Sequence, residues 1–505
     1  MNFISIVYGL FLLSLTAIYW ALSKQRQRLG LLLFASLIFY ASLQIEYIPL
    51  FFLSTVINFW LGIAIAKNRV YISKIVEENQ VFISPQSFWK NWNWRGWLWL
   101  WAGITFNTLM LLSFKYVPFC LEIVSNFIEL PILKGISLWY RENVLTPLGI
   151  SFFSFECIAY LVDVYRGAQP SQQFLKFATY KFFFPKLISG PVTRYHHFVS
   201  RLKTLHFPAW HQIVEGLWLI ACGAIQKGIF ADHTGNFVNL CFENLQRAGS
   251  GDIWLATFGY GLQLYLDFSG YVHIASGSAL LLGFQLPPNF DYPYFTTSIA
   301  DFWRRWHITL GDWLRNYLYF PLGGGRHGLF RTCLNLLLVM LVAGVWHGAA
   351  WGFIVWGGLH GLALVVHRVT EAISERFTVL KSWWESVPGT LMAWLLVQLT
   401  VFLLWIPFRL PNLRDALWAI GHLWGHPPDP QFAEKVYAQA LGIPREDVAL
   451  LLLLLALGIF AAYGVERLLK LRLNWPLKLL LVPSCFFAVL LFAPESRPPY
   501  IYFDF

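Results

Sequence analysis

Long apolar stretches separated by short polar connections occupy most of the chain. The first covers residues 1–22, and others begin near residues 97, 118, 146, 209, 253, 272, 333, 352, 388, 449 and 477. Because a straight membrane-spanning helix needs about 20 apolar residues, the pattern predicts an all-α polytopic membrane protein with about 11–13 membrane segments, several of them short. No basic residue precedes the first stretch and no cleavage site of small residues follows it, so we expect a retained first span.

Two segments rich in glycine and proline interrupt the apolar pattern, FFFPKLISGPV at 182–192 and LLGFQLPPNF at 281–290. Irregular backbone at membrane depth is tolerated only against protein or a wet cavity. These segments therefore predict short, broken or re-entrant helices around a cavity. The sequence shows no separate soluble domain, which favours one integral-membrane domain over 1–505 with C-terminal helices at about 370–505.

Composition agrees with a membrane protein. Apolar residues make up 57% of the chain and charged residues 13%, against about 45–50% and about 25% in soluble domains. These fractions exclude a disordered, collagen-like or coiled-coil protein. The six cysteines lack the spacing of a zinc site or a disulfide framework, so the sequence predicts no metal site.

The net charge of +10 has a topological explanation. Basic groups occur in the first and third connections, whereas the connection at 43–46 holds only Glu46; the basic residues are Lys24, Arg26, Arg28, Lys67, Arg69, Lys74, Lys90 and Arg95. Under the positive-inside rule this alternation predicts an N-terminus outside and a multi-pass protein of the cell inner membrane, in contact with lipid. It argues against nucleic acid as the partner of these charges.

Ionisable groups within apolar stretches indicate where chemistry could occur, because each costs at least about 2.5–3.5 kcal/mol at the bilayer centre. Glu156 and Asp163 lie two helical turns apart in the stretch 146–167, and Asp267 and His273 lie together in 261–277. Glu156 and Asp267 could take part in chemistry, or they could pair with basic groups to hold helices together. The candidate basic partners are Lys186 and Arg194.

The densest polar pattern is SIADFWRRWHITLGDWLRNYLYFPLGGGRHG at 298–328. Its arginines outnumber its aspartates, so we expect this connection to face the cytoplasm. The interleaved Trp303, Trp306 and Trp313 predict an amphipathic helix in the membrane interface, with Arg304 and Arg305 available to bind an anionic donor.

An almost uncharged stretch follows at 332–367, too long for one straight span and short for two. It must therefore break near its middle, where His347 lies in Trp346-His347-Gly348. We expect His347 well away from the cytoplasmic face and His307 near it. A histidine on an apolar helix can instead be an interhelical hydrogen-bonding residue, which keeps a structural role open for both.

These segments together resemble the membrane-bound O-acyltransferase family, and in particular its branch of alginate O-acetylation membrane proteins. The resemblance is carried by PLGISFFSFECIAYLVDVYRG, FFPKLISGPVTRY, LDFSGY, the 298–328 stretch, GVWHGAAWGFIVWGGLHG and the final PYIYFDF. The motifs span about 146–361. The resemblance implies helices around a central funnel or cavity, catalysis by His347, and a second important histidine, His307.

The resemblance also implies transfer of an acyl group, most simply acetyl, from a cytoplasmic donor to a hydroxyl of an exported polysaccharide. The donor would be a co-substrate, acetyl-coenzyme A or an acyl carrier, with no tightly bound cofactor. We further expect an extracytoplasmic acetyltransferase or esterase-like partner. Arg304 and Arg305 would orient the donor, with Asp301, Trp306, Trp346 and Asp267 as supporting residues.

Two other functions remain open on this sequence. One is D-alanyl transfer to teichoic acid from a carrier protein, and the other is transport without bond formation. Three residues depart from the branch pattern: Glu156 and Lys186 stand where glutamine is usual, and His273 stands where aspartate is usual. They add charge inside apolar segments and could form a compensating pair, such as Glu156 with Lys186.

Overall fold

The computed structural model describes residues 1, 3–68, 94–128, 131–203 and 206–503. Within these ranges the chain is helical, and its β-structure is a single bridge between Phe290 and Trp306. An all-α membrane protein is therefore confirmed. Arg69, Lys74 and Lys90, which the sequence assigns to a cytoplasmic connection, lie outside the described residues.

The chain forms two compact units. The first contains residues 1–208, 279–287 and 312–324, and the second contains 209–278, 288–311 and 325–505. The helices that begin in the first unit are α1 Ile6–Ala21, α2 Gln25–Gln44, α3 Ile48–Lys67, α4 Trp94–Lys115, α5 Val117–Ile128, α6 Pro131–Asn143, α7 Ile150–Tyr165, α8 Phe174–Phe182 and α9 Tyr195–Lys203. The single domain expected from the sequence stays a prediction.

The helices that begin in the second unit are α10 Trp210–Ile225, α11 Asp232–Glu243, α12 Ser250–Leu281, α13 Ile299–Arg305, α14 Ile308–Leu314, α15 Gly328–His347, α16 Trp351–Ser374, α17 Thr378–Glu385, α18 Val387–Arg409, α19 Leu413–Gly421, α20 Pro430–Phe432, α21 Arg445–Tyr463 and α22 Trp475–Phe492. Short 3₁₀ helices lie at Ile45–Tyr47, Leu245–Arg247, Pro293–Phe295 and Ile501–Phe503. π-helical turns lie at Gln226–Ala231, Arg315–Tyr319, Ala433–Leu441 and Gly464–Leu468.

Eight helical stretches of the described residues are long and apolar enough to cross a membrane. They are Gln25–Lys67, Trp94–Lys115, Trp210–Glu243, Gly328–His347, Trp351–Ser374, Val387–Arg409, Arg445–Leu468 and Trp475–Phe492. The last two bury only 11% of their most apolar windows against the protein. Such helices would be unstable in water, so lipid is the environment that suits their exposed leucines.

The two segments rich in glycine and proline break the helical pattern as expected. α8 ends at Phe182, and a buried, non-helical run of chain continues to residue 194. After α12 ends at Leu281, the backbone is likewise irregular through residue 289. Both segments lie mostly buried within the protein, where the polar groups of irregular backbone find protein partners.

The uncharged stretch folds into a tight hairpin of α15 and α16. α15 ends at His347 and α16 begins at Trp351, so the predicted break falls directly after the histidine. A Cβ added to Gly344 would lie 2.3 Å from the carbonyl oxygen of Phe353, and one added to Gly357 would lie 2.4 Å from that of Met340. Glycine is required at both positions because the backbones of the two helices touch there.

Candidate active site

His347 is the last residue of α15 and is 3% exposed. Its ring is enclosed by aromatic side chains, with ring centroids 4.9 Å from Trp346, 5.0 Å from Trp356 and 5.0 Å from Phe408. The chain turns back immediately after it at Gly348. The hairpin therefore presents an imidazole at its tip, inside an apolar enclosure that keeps bulk water from the ring.

His307 lies in the turn between α13 and α14 with a φ of 44°. This left-handed conformation is uncommon for a residue with a Cβ and is held by the neighbouring chain. The backbone N–H of Ile308 donates to the carbonyl of Asn289 at 3.0 Å, and the Asn289 side chain accepts from the N–H and hydroxyl of Thr309. The turn thus fixes where the imidazole points.

The imidazole rings of both histidines contact the ring of the same aromatic residue, Tyr502. Its ring centroid is 5.9 Å from that of His307 and 6.0 Å from that of His347, and it packs 4.0 Å from Phe268. His307 is itself only 1% exposed. The structure gathers both rings into one buried site, and the expectation that His307 lies nearer the cytoplasmic face than His347 stays a prediction.

His307 lies outside the membrane-spanning helices, and burial lowers its pKa to about 3. Its imidazole is consequently neutral at physiological pH. A neutral ring can accept or donate a hydrogen bond, so His307 can orient a hydroxyl or a carbonyl beside His347.

Tyr502 belongs to a C-terminal segment that is fixed by Lys227. The ammonium group donates to the carbonyl oxygens of Pro498 at 3.1 Å and Pro499 at 3.2 Å. It also lies 4.7 Å from the centroid of the Tyr500 ring. One buried cation therefore holds the backbone just before the tyrosine that contacts both histidines.

Lys227 is paired with two carboxylates, Asp232 at 2.8 Å and Asp267 at 2.6 Å. Asp267 also accepts the backbone N–H of Ile501 at 3.0 Å. The alternative that Asp267 pairs with Lys186 or Arg194 is thus wrong. Asp267 acts on the site indirectly, because it orders the chain that carries Tyr502.

The two arginines of the RRWH motif, Arg304 and Arg305, differ in whether they form an ion pair within the protein. Arg305 forms an ion pair with Asp301 at 3.0 Å, one turn away on α13. Arg304 is exposed, and among the described residues no carboxylate lies within ion-pair distance of it. Arg304 is therefore the guanidinium that can bind an anionic group without first losing a partner.

The interfacial helix expected around the tryptophans does not form. Trp306 is 2% exposed and packs among Phe302, Phe290 and Trp405, at centroid distances of 5.6, 5.1 and 5.0 Å. Trp313 is also buried. The turn at His307 divides the segment into two short helices, so these indoles pack into the protein interior instead of lining one membrane-facing stripe.

Glu156, in the first unit, forms the pair that the sequence suggested. Its carboxylate lies 2.5 Å from the Lys186 ammonium and 3.2 Å from that of Lys181. It also accepts hydrogen bonds from the backbone N–H and the hydroxyl of Thr193. The departures from glutamine at 156 and 186 thus compensate each other and join α7 to the irregular segment after α8.

We expect Glu156→Gln to lower thermal stability strongly, because two buried ammonium groups lose their counter-charge at a cost of about 3–5 kcal/mol. Lys186→Gln in the same chain should restore much of the loss, since it removes one of those ammonium groups. The check is the melting temperature of the single and double variants in detergent. Additive losses in the double variant would contradict the pairing.

The remaining candidates have structural partners. Asp163 accepts a hydrogen bond from the Tyr317 hydroxyl at 2.9 Å. His273 shares a hydrogen bond with Gln226 at 2.8 Å. Neither contact brings the residue to the Tyr502 ring, and neither calls for a catalytic role.

Sequence reasoning missed Tyr502 and Lys227 as parts of the site. Lys227 had a usable signal, because a lysine within an apolar stretch demands a partner. Tyr502 had a weaker one, its place in a C-terminal motif that pointed to a family but assigned no role to the residue.

Known protein sequences are similar to this chain over most of its length. The profile of the MBOAT, membrane-bound O-acyltransferase family, matches residues 37–403. The chain is 35% identical over 465 residues to a probable alginate O-acetylase of Azotobacter vinelandii, covering 91% of this chain and 83% of the relative. It is 34% identical over 413 residues to a peptidoglycan O-acetyltransferase of Helicobacter pylori, covering 76% and 72%. A teichoic acid D-alanyltransferase of Bacillus subtilis is 27% identical over 257 residues, covering 48% and 64%.

Proposed function

This chain belongs to the membrane-bound O-acyltransferase family, and from that premise we propose that it acetylates hydroxyl groups of an exported cell-envelope or extracellular polysaccharide. The chain is a multi-pass membrane acyltransferase. The observation that carries the finer proposal is the buried site of His347, His307 and Tyr502, in a chain whose most similar relatives named above are O-acetylating enzymes.

We propose acetyl-coenzyme A, or an acetylated carrier with the same thioester arm, as the donor. Such donors carry anionic groups, and the exposed Arg304 offers a guanidinium to bind them. In this proposal the protein lies in the inner membrane with its N-terminus outside. The donor would enter the site from the cytoplasmic side.

His347 acts as the general base in this proposal. Its neutral imidazole takes the proton of the acceptor hydroxyl while the hydroxyl oxygen attacks the thioester carbonyl. The carbon–sulfur bond then breaks, and the thiolate leaves with the proton that His347 returns. His307, whose ring also contacts Tyr502, orients the reacting groups.

The acceptor can be a polysaccharide itself or the hydroxyl of an extracytoplasmic transferase that completes the modification. Relatives named for alginate and for peptidoglycan support a carbohydrate acceptor. The D-alanyl alternative has a more distant relative in its favour. The transporter alternative has no counterpart among these relatives.

The test uses the purified protein in lipid vesicles with acetyl-coenzyme A labelled in the acetyl group. We expect label to appear as alkali-labile ester on envelope polysaccharide from the producing cells. D-alanine presented on a carrier protein should give no ester. Ester-linked D-alanine without ester-linked acetate would overturn the proposal.

A further inference from the structure

Two arginines of the first unit, Arg166 and Arg194, meet at one aromatic ring. Arg166 directly follows the last residue of α7, and Arg194 directly precedes α9. The Cζ atom of each arginine lies 5.4 Å from the centroid of the Tyr317 ring. Both arginine side chains are half-buried, where a charge without a counter-ion costs free energy.

These two guanidinium groups lack a counter-charge. No carboxylate of the described ranges lies within ion-pair distance of either, and Asp163 instead accepts a hydrogen bond from the Tyr317 hydroxyl at 2.9 Å. Burial lowers the pKa of Arg166, and the charge of Arg194 adds to this shift. The two cations therefore lie close enough to repel each other, and an anion that contacts both would relieve the repulsion.

The donors of this cluster are largely unused. Arg166 donates one N–H from Nη2 to the carbonyl oxygen of Asn316 at 3.0 Å. Arg194 has five N–H groups, and none of them donates to a residue that the structure describes. His196, on α9, has a buried Nε2 atom that also lacks a partner in the described part of the chain. Unpaired donors on half-buried cations indicate a ligand that is anionic and accepts several hydrogen bonds.

The cluster lies at one end of the membrane-crossing helices of this unit. The backbone N–H of Leu148, just before α7, donates to Gln44 at 2.7 Å, and a Cβ added to Gly62 of α3 would lie 2.5 Å from the Tyr160 hydroxyl of α7. The two helices therefore run parallel, and the C-terminal end of α7 lies beside Lys67 at the end of α3. The charge pattern assigns this end to the cytoplasm, where anionic lipid headgroups are the abundant neighbours.

We propose that Arg166 and Arg194 bind a phosphate group at this end of α7, with the Nε2 atom of His196 as a further donor. The fork of a guanidinium matches the oxygens of a phosphate in geometry and in charge. The headgroup of an anionic phospholipid in the cytoplasmic leaflet is one source of such a group, and free phosphate offers the same oxygens. Phosphate binding here needs no acyl transfer, so it goes beyond the proposed function.

The test titrates the full-length protein, in a neutral detergent, with dihexanoyl-phosphatidylglycerol and separately with inorganic phosphate. The melting temperature gives an apparent Kd for each probe. We expect the wild-type protein to be stabilised, and Arg194→Gln and Arg166→Gln each to raise the apparent Kd about tenfold, the usual effect of losing a hydrogen bond to a charged group. Stabilisation by phosphatidylglycerol alone assigns the site to a lipid, and equal stabilisation by both probes assigns it to free phosphate.

The matched control is Arg201→Gln, because Arg201 is an exposed arginine of α9 that donates to Gln285 at 3.1 Å. It should keep the wild-type Kd. An equal loss of affinity in Arg201→Gln would show attraction by overall charge and would overturn the proposal. The proposal also fails if neither probe stabilises the wild-type protein, or if Arg166→Gln and Arg194→Gln both bind as the wild type does.

Arg194→Lys decides the question if Arg194→Gln does not fold. Lysine keeps the positive charge but lacks the fork of donors that suits a phosphate. We expect Arg194→Lys to bind the stabilising probe several-fold more weakly than the wild type. Wild-type affinity in a folded Arg194→Lys protein would show that the guanidinium does not contact the phosphate, contrary to the proposed site.

Discussion

Replacing His347 with glutamine is expected to lower acetyl transfer about 10²–10⁴-fold, the usual contribution of a general base. Glutamine is polar and of similar length but cannot take up a proton at neutral pH. The ring of His347 lies at the end of α15 with its aromatic neighbours about 5 Å away, so the substitution should leave the hairpin of α15 and α16 in place. Transfer is measured as ester-linked acetate in the vesicle assay, with protein levels and melting temperature determined in parallel.

The control for this prediction is His422→Gln. His422 is half-buried, and its ring Nδ1–H donates to the Trp418 carbonyl 2.7 Å away, remote in sequence from both motif histidines. We expect full transfer from this variant. Full transfer from correctly folded His347→Gln would remove His347 from the chemistry and leave His307 as the remaining candidate base.

The hairpin that carries His347 could be predicted because its signal is local. An uncharged stretch too long for one span has to break, and in the structure the two helix backbones approach each other at Gly344. Such constraints act between neighbours in the chain, so spacing alone reveals them. The pairing of Glu156 with Lys186 was similarly accessible, because a buried charge requires an opposite one.

The burial of His307 could not be predicted, because it depends on contacts between distant parts of the chain. A count of positive charges puts the motif near the cytoplasm, yet the turn is held by Asn289 and its ring is buried against Phe268. Charge describes where a connection lies on average. It does not show that one residue of that connection folds into the interior.

The position of the C-terminal segment at residues 498–503 depends on contacts between parts of the chain that lie even farther apart in sequence. Breaking one of these contacts should have the second large effect on acetyl transfer. Lys227→Met is expected to lower acetyl transfer about 100-fold, because small displacements of groups around a reaction centre have effects of that size. The lysine holds the carbonyls of Pro498 and Pro499, and through them keeps the Tyr502 ring in contact with both histidines. Amide hydrogen exchange at 500–503 should become faster in the same variant.

Lys227→Met also leaves the buried carboxylates of Asp232 and Asp267 without their cation, at a cost of about 3–5 kcal/mol in stability. Ile501→Pro separates this loss from positioning, because it removes the N–H that donates to Asp267 and leaves Lys227 with both of its carboxylate partners. Ile501→Pro should lower acetyl transfer and speed amide hydrogen exchange in the segment, with a smaller drop in melting temperature than Lys227→Met. Lys478→Met is the matched control, since it removes a lysine whose ion pair is with Glu215 and not with Asp232 or Asp267. Normal transfer from Ile501→Pro, despite faster amide exchange at residues 500, 502 and 503, would show that the site does not need the segment held in place.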